Sequence, residues 1–167
     1  WDSRQRTRLL GRYSSAVAMF LGVVVVLGAV VWSLAFTSIY TRPATRITAS
    51  EWIHTTIPAG STITTEHWDD AIPLSLPSFG SSERYQILQL PLYDDDTQVK
   101  REQIIEVLNK TDFLVLSSNR LSESIPRMPQ RYPMTIRYYT DLFSGALGFE
   151  QIAQFTSYPS FAGFDIV

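Results

Sequence analysis

Apolar positions along this chain follow two regimes. From Ala16 to Phe36 (AVAMFLGVVVVLGAVVWSLAF) they are continuous: 21 residues without a charge, with Ser33 and the Trp32 indole as the only polar side chains. A helix of that length is about 31 Å long, close to the hydrocarbon thickness of a bilayer. The Val23–Val26 run does not oppose a helix, because in lipid only a helix satisfies its own backbone groups. The stretch therefore predicts one transmembrane helix. A secretory signal has a shorter apolar core and a small-residue cleavage site, and no such site follows before Trp32.

Beyond Tyr40 the pattern breaks into short segments. Pro43 stops the first helix. Thr48 through Glu51 (TASE) has the form of a capping box, which predicts a helix over 48–56. A turn at Pro58–Gly60 leads to a β-prone segment at 61–65, and a proline-punctuated loop runs to Gly80. Residues 86–92 (QILQLPL) read as a strand with an edge-type Pro91. Asp94, Asp95, Asp96 and Thr97 open a helix over 97–110, whose apolar face is drawn from Val99, Ile104, Ile105, Val107 and Leu108. Residues 113–116 (FLVL) look like a strand buried on both faces. Pro133 starts a helix over 134–144 ended by Gly145, and 149–156 alternates as a last strand. The order implies an α/β fold: a transmembrane helix, then a small three- to four-stranded, mostly parallel doubly wound sheet. The helices at 97–110 and 134–144 serve as right-handed crossovers.

Charge orients this plan. Arg4, Arg6, Arg8 and Arg12 precede the apolar run, and the first forty residues carry net +3; the remainder carries −5. The positive-inside rule then makes 1–15 a basic cytoplasmic arm, 16–40 the membrane helix with its interface, and 41–167 one extracytoplasmic domain. The expected location is a cell inner membrane, crossed once. Arg8, Arg12 and Tyr13 mark the near interface and Trp32 and Tyr40 the far one. An acidic outer domain argues against nucleic acid, and the basic arm suits anionic headgroups. The absence of cysteine removes disulfides, thiolate catalysis, iron–sulfur clusters and covalently attached haem. The chain begins with Trp1, which reads as an internal piece of a longer protein.

Candidate chemistry is sparse. Glu66, His67, Asp69 and Asp70, with Trp68 among them, are the one group with metal or acid–base character, but the spacing fits no standard metal motif. As a polar loop they are a candidate contact for a ligand or partner. Asn119 and Arg120 follow the 113–116 strand, where open α/β sheets bind ligands. Asp94–Asp96 lacks the rest of a calcium loop. Arg127, Arg131 and Arg137 with Tyr132, Tyr138 and Tyr139 form a basic-aromatic surface patch, and Asn109–Thr111 is a glycosylation sequon. Ala18, Gly22, Gly28, Ala29 and Ser33 would let a second membrane helix approach. No residue is assigned as catalytic, cofactor-binding or metal-binding.

Several stretches together resemble one group of proteins: 49–53 (ASEWI), 57–61 (IPAGS), 66–69 (EHWD), 112–120 (DFLVLSSNR), 131–134 (RYPM), 137–139 (RYY) and 147–149 (LGF). The group is the YYY-type polytopic membrane proteins of filamentous phototrophic bacteria and some archaea. These are related to mannosyltransferase-like, lipid-linked-sugar-dependent glycosyltransferases, and the likeness covers most of residues 30–167. It implies a C-terminal membrane helix plus extracytoplasmic domain. The family's acidic catalytic residues lie in an early loop among N-terminal helices, so none carries over. Three functional expectations follow. The first is a non-catalytic single-pass accessory subunit of a larger membrane complex, a quinol-oxidising electron-transport complex being the specific case, with lipid and neighbouring membrane helices as partners. The second is the accessory domain of a lipid-linked-sugar glycosyltransferase. The third is a metal-assisted hydrolase using His67 and its neighbouring acids.

Overall fold

A computed structural model of the chain describes residues 2–68 and 70–166, with side chains from residue 15 onward. The chain divides into two compact units: residues 2–44 with 156–166, and residues 45–155. The first unit is dominated by α1 (Asp2–Thr37), one continuous helix about 54 Å long at 1.5 Å per residue. It is long and apolar enough to cross a membrane, and the apolar window is unburied. After a 3₁₀ turn at Ser38–Thr41, Arg42 is extended (φ −107°, ψ 155°), the conformation that Pro43 imposes on the residue before it.

The second unit is a mixed α/β domain. Its elements are α2 (Thr45–Thr56), β1 (Thr62–Glu66), β2 (Gln86–Leu90), α3 (Gln98–Leu108), β3 (Phe113–Val115), α4 (Arg120–Ser124) and α5 (Pro133–Phe143). The three strands form one parallel sheet in the order β2-β1-β3. Helices cover both faces, and the two-residue alternation of side chains decides which residues meet them. On one face Ile63, Phe113 and Val115 pack with Ala49 and Ile53 of α2 and with Ile57 just beyond it. On the other, Leu90, Leu114 and Leu116 pack with Ile104, Leu121, Tyr138, Tyr139 and Leu142 of α3, α4 and α5. The Tyr85 hydroxyl donates to the Ile53 and Ile57 carbonyls (3.1 and 3.4 Å), satisfying the C-terminal end of α2.

Several expectations are corrected. The segment 113–116 is not the central strand: β3 is an edge and is half-buried. The centre is β1 (TITTE), buried at every position. Two of its threonine hydroxyls are engaged, Thr64 with Thr111 at 2.7 Å and Thr65 with the Leu88 carbonyl at 3.5 Å, so a polar sequence can occupy the core. Pro91 lies past the end of β2. The capping-box reading at 48–51 fails because α2 starts three residues earlier, at Thr45. Residues 149–156 form no strand. Without a fourth strand, α5 is not a crossover, and only the β2–α3–β3 connection carries a helix between parallel strands. Phe155 instead packs its ring on Trp52, 6.0 Å between centroids.

The apolar face assigned to α3 is also rotated. Val99 and Ile105 are exposed (64 and 49%), while Lys100 is buried beside Ile104. Lys100 Nζ donates to Asp96 Oδ1 (2.8 Å), Thr135 Oγ1 (2.6 Å) and the carbonyls of Leu92 (2.9 Å) and Asp94 (2.6 Å). Asp96 does not cap α3; Thr97 does, accepting from the Lys100 N–H. Asp96 Oδ2 instead accepts the Met134 and Thr135 N–H groups (2.6 and 3.2 Å), capping the N-terminus of α5 across the fold. Burial pushes the Asp96 carboxyl up, but the hydrogen bonds from Lys100, Thr135 and the α5 backbone outweigh it, and its pKa lies below the ordinary 3.8.

Replacing Lys100 by Met leaves that carboxylate buried without its cation, and the expected loss is about 3–5 kcal/mol in urea unfolding of the detergent-solubilised chain. Because the folded pKa is depressed, the wild-type contribution is complete above the ordinary carboxylate range and lost as acid protonates Asp96, below about pH 4. The variant should lack this acid-dependent component.

Candidate functional site

The carboxyl ends of β1, β2 and β3 bring together most of the residues singled out by sequence, and then separate them. Glu66 is the last residue of β1, not a loop residue, and is 1% exposed. It points to the helical face, where the Tyr139 hydroxyl donates to Glu66 Oε1 at 2.5 Å. Tyr138 lies beside them, its ring 5.1 Å from that of Tyr139. Burial first, and then the negative charge of Glu66, push the Tyr138 phenol far above its ordinary pKa. Its hydroxyl makes no hydrogen bond. This group holds α5 onto the sheet from inside the core.

His67, one residue past the end of β1, is exposed where Glu66 is buried. Its Nδ1 lies 3.3 Å from Gln89 Oε1. Asp70 is committed to α2 through Arg46, at 2.5 Å to Oδ2 and 2.8 Å to its carbonyl. Asp69 lies outside the described residues. Among the described residues no three His, Asp or Glu side chains converge as a metal site. The cluster is therefore one buried acid, one exposed imidazole and one tethering carboxylate.

Trp68 stands out. It is 63% exposed and adopts φ +78°, a left-handed conformation costly for a bulky residue and concentrated at functional positions. His67 and Tyr93 buttress its ring edge-on, at 5.5 and 6.1 Å, and Tyr93 in turn stacks on Tyr132 at 5.8 Å. Next to this aromatic row an open cleft of about 300 Å³ is lined by His67, Gln89, Pro91, Asp94, Gln103 and Val107. Amide, imidazole and carboxylate groups beside an exposed indole suit a hydroxyl-rich or amide-rich ligand rather than an anion. Gln89 and Gln103 escaped the sequence reading, and Asp94 was read only as a helix start and partial calcium loop, because the three converge only through the β2–α3 crossover.

The remaining candidates divide plainly. Asn119 sits at the start of α4, its Nδ2 donating to Glu123 Oε1 at 3.1 Å, and Arg120 is exposed. Tyr132, Tyr138 and Tyr139 are core residues rather than a surface patch. Of the accompanying arginines, Arg131 pairs with Asp95 at 2.8 Å and Arg137 with Asp141 at 3.3 Å, both exposed. The sequon's Thr111 hydroxyl is engaged with the Val107 carbonyl and Thr64.

On α1, the side chains of Arg8, Arg12 and Tyr13 lie outside the described residues. Trp32 and Tyr40 are 53 and 75% exposed, as interfacial anchors would be. Ala18, Gly22, Ala29 and Ser33 fall within about 60° of one another around a helix turning 100° per residue, with Gly28 to one side. A Cβ at Gly22 or Gly28 would meet nothing, so this face is open. The Ser33 hydroxyl donates to the Ala29 carbonyl at 2.8 Å, which leaves no free donor on an apolar surface.

No family model, curated protein or solved structure matches the chain.

The geometry separates a structural acid from an exposed imidazole, and substitution should separate them too. Tyr139→Phe removes a donor to a buried carboxylate, with an expected loss of about 1.5–3 kcal/mol in thermal unfolding. His67→Ala, at an exposed position, should stay within about 0.5 kcal/mol of the parent.

Proposed function

We propose that the chain is a membrane-anchored, non-catalytic accessory module of a larger membrane assembly. The observation that carries this reading is α1: an uninterrupted apolar helix whose side chains from Ser15 to Leu34 are all exposed. In water such a surface is untenable, and in a bilayer it has its natural solvent. The arginines that precede it put the N-terminus on the cytoplasmic side of an inner membrane and residues 45–155 on the outer side. The open stripe of small residues is where another helix of the assembly would pack.

Of the two parent assemblies, the lipid-linked-sugar-dependent glycosyltransferase has a specific observation in its favour. Trp68, held at positive φ beside a cleft of His67, Gln89, Asp94 and Gln103, offers an aromatic face next to amide, imidazole and carboxylate groups. That combination suits a glycan donor or acceptor. The resemblance of most of residues 30–167 to YYY-type membrane proteins points the same way. The quinol-oxidising complex draws only on the phototroph source of that likeness and on the small-residue stripe. The metal-assisted hydrolase has less in its favour, with Glu66 buried against Tyr139 and Asp70 paired with Arg46.

The test is mild-detergent purification from native membranes, with intact-mass analysis of this chain and mass spectrometry of whatever comigrates. The expected result is a polypeptide much larger than 19.0 kDa, or comigration with enzymes of lipid-linked sugars. A fixed ratio with cytochrome or quinone-oxidising subunits would reverse the choice of parent. A soluble, membrane-free chain would overturn the anchoring.

A further inference from the structure

The last described residues form a short antiparallel hairpin, β4 (Ser160–Phe161) and β5 (Phe164–Asp165), in the same compact unit as α1. The turn consists of Ala162 and Gly163, with φ +51° and +85°. Two left-handed residues make the type of turn whose twist matches a two-residue hairpin, so the register is fixed. In that register Phe161 is opposite Phe164 and Ser160 opposite Asp165. Directly opposed residues share a face and neighbours alternate, so the two phenylalanines lie on one face and Ser160 on the other.

The Ser160 face holds the end of α1. Ser160 N–H donates to Ser38 Oγ at 2.9 Å, and Arg42 Nη2 donates to the Tyr158 carbonyl at 2.5 Å and to Ser160 Oγ at 3.3 Å. Ala35 is fully buried, the one buried residue of α1 among those described. The Phe face is left open, with Phe164 77% and Phe161 41% exposed. Exposed Phe36 and Tyr40 lie on the same end of α1, their rings 5.8 Å apart.

We infer that this hairpin is a second membrane-contact element, which lays Phe161 and Phe164 into the boundary between headgroups and acyl chains where α1 leaves the bilayer. The inference rests on α1 crossing the membrane as proposed above. Three features select lipid as the occupant. The patch is open, with Phe164 77% and Phe161 41% exposed, and belongs to the same compact unit as α1. It is attached at Ala35 to Arg42, the level at which the apolar run ends. It is purely aromatic, and aromatic faces bury about 5–10 Å deep at that boundary. Arg42, with its stem along the hairpin, places its charge at the headgroup level.

Because the chain contains no cysteine, single cysteines can report depth without background. Phe161→Cys, Phe164→Cys, Asp165→Cys on the opposite face and Val26→Cys within the apolar run are each spin-labelled. The full chain is then reconstituted into vesicles of phosphatidylcholine and phosphatidylglycerol. The readout is the ratio of accessibility to oxygen, which concentrates in lipid, over a water-soluble nickel chelate. The expected result is a ratio at 161 and 164 severalfold above that at 165 and approaching that at 26. Equal, water-like ratios at 161, 164 and 165 with a lipid-like value at 26 would overturn the hairpin contact and leave the anchor standing. A water-like value at 26 would overturn both. All the hairpin sites labelled are exposed, so the label leaves the Ser38–Ser160 contact in place, and Phe164→Trp, read by emission wavelength and bromolipid quenching against the same chain with Phe164 intact, gives a second measure without a label.

Discussion

The buried ion pair between Lys100 and Asp96 sets the geometry of the α/β unit. One cation touches the end of β2 through the Leu92 carbonyl, the loop through Asp94, and α5 through Thr135. One carboxylate receives that cation and also the first free N–H groups of α5. The segment from Leu92 to Lys100 and the distant start of α5 are fixed relative to one another by two side chains. A buried pair adds little net stability over an apolar replacement, because desolvation offsets the attraction. Its effect is directional: an apolar contact would tolerate a slid or rotated α5, whereas four acceptors around one ammonium and a cap on one carboxylate do not.

That geometry explains what sequence could and could not anticipate. The long apolar run, the helices at 98–108 and 133–143 and the parallel strands at 62–66, 86–90 and 113–115 follow from local signals: length, period, Pro133 at a helix start, Gly145 past a helix end at φ +77°. The orientation of α3 did not, because its buried stripe contains a lysine, which an apolar template scores as surface. The centre of the sheet was missed for the same reason. Threonine is β-prone yet polar, and only its partners in the fold decide that TITTE is interior while FLVL is an edge.

The candidate site was legible in composition and illegible in arrangement. Glu66, His67, Trp68 and Asp70 are adjacent in sequence, and a strand end sends them to different environments. Glu66 goes into the core beneath Tyr139, His67 out beside Gln89, and Asp70 back to Arg46. What sequence could not supply is the counterpart set from the β2–α3 crossover, which joins His67 in lining a polar cleft.

The two compact units have different solvents written into their surfaces. The apolar clusters of the α/β unit draw only on residues 49–155, so it closes its own core without any disulfide or membrane helix. The apolar surface of α1 is consequently left over, and in lipid that surface gains nothing from meeting another helix merely by being apolar. Close packing is the term that remains, and along the described part of α1 it is available chiefly where Ala18, Gly22, Ala29 and Ser33 lower the surface. A hairpin seated on Ala35 to Arg42 restricts how that stripe can be presented, because it adds bulk to one end of the helix. The core of the α/β unit and the small-residue stripe of α1 thus rest on separate residues.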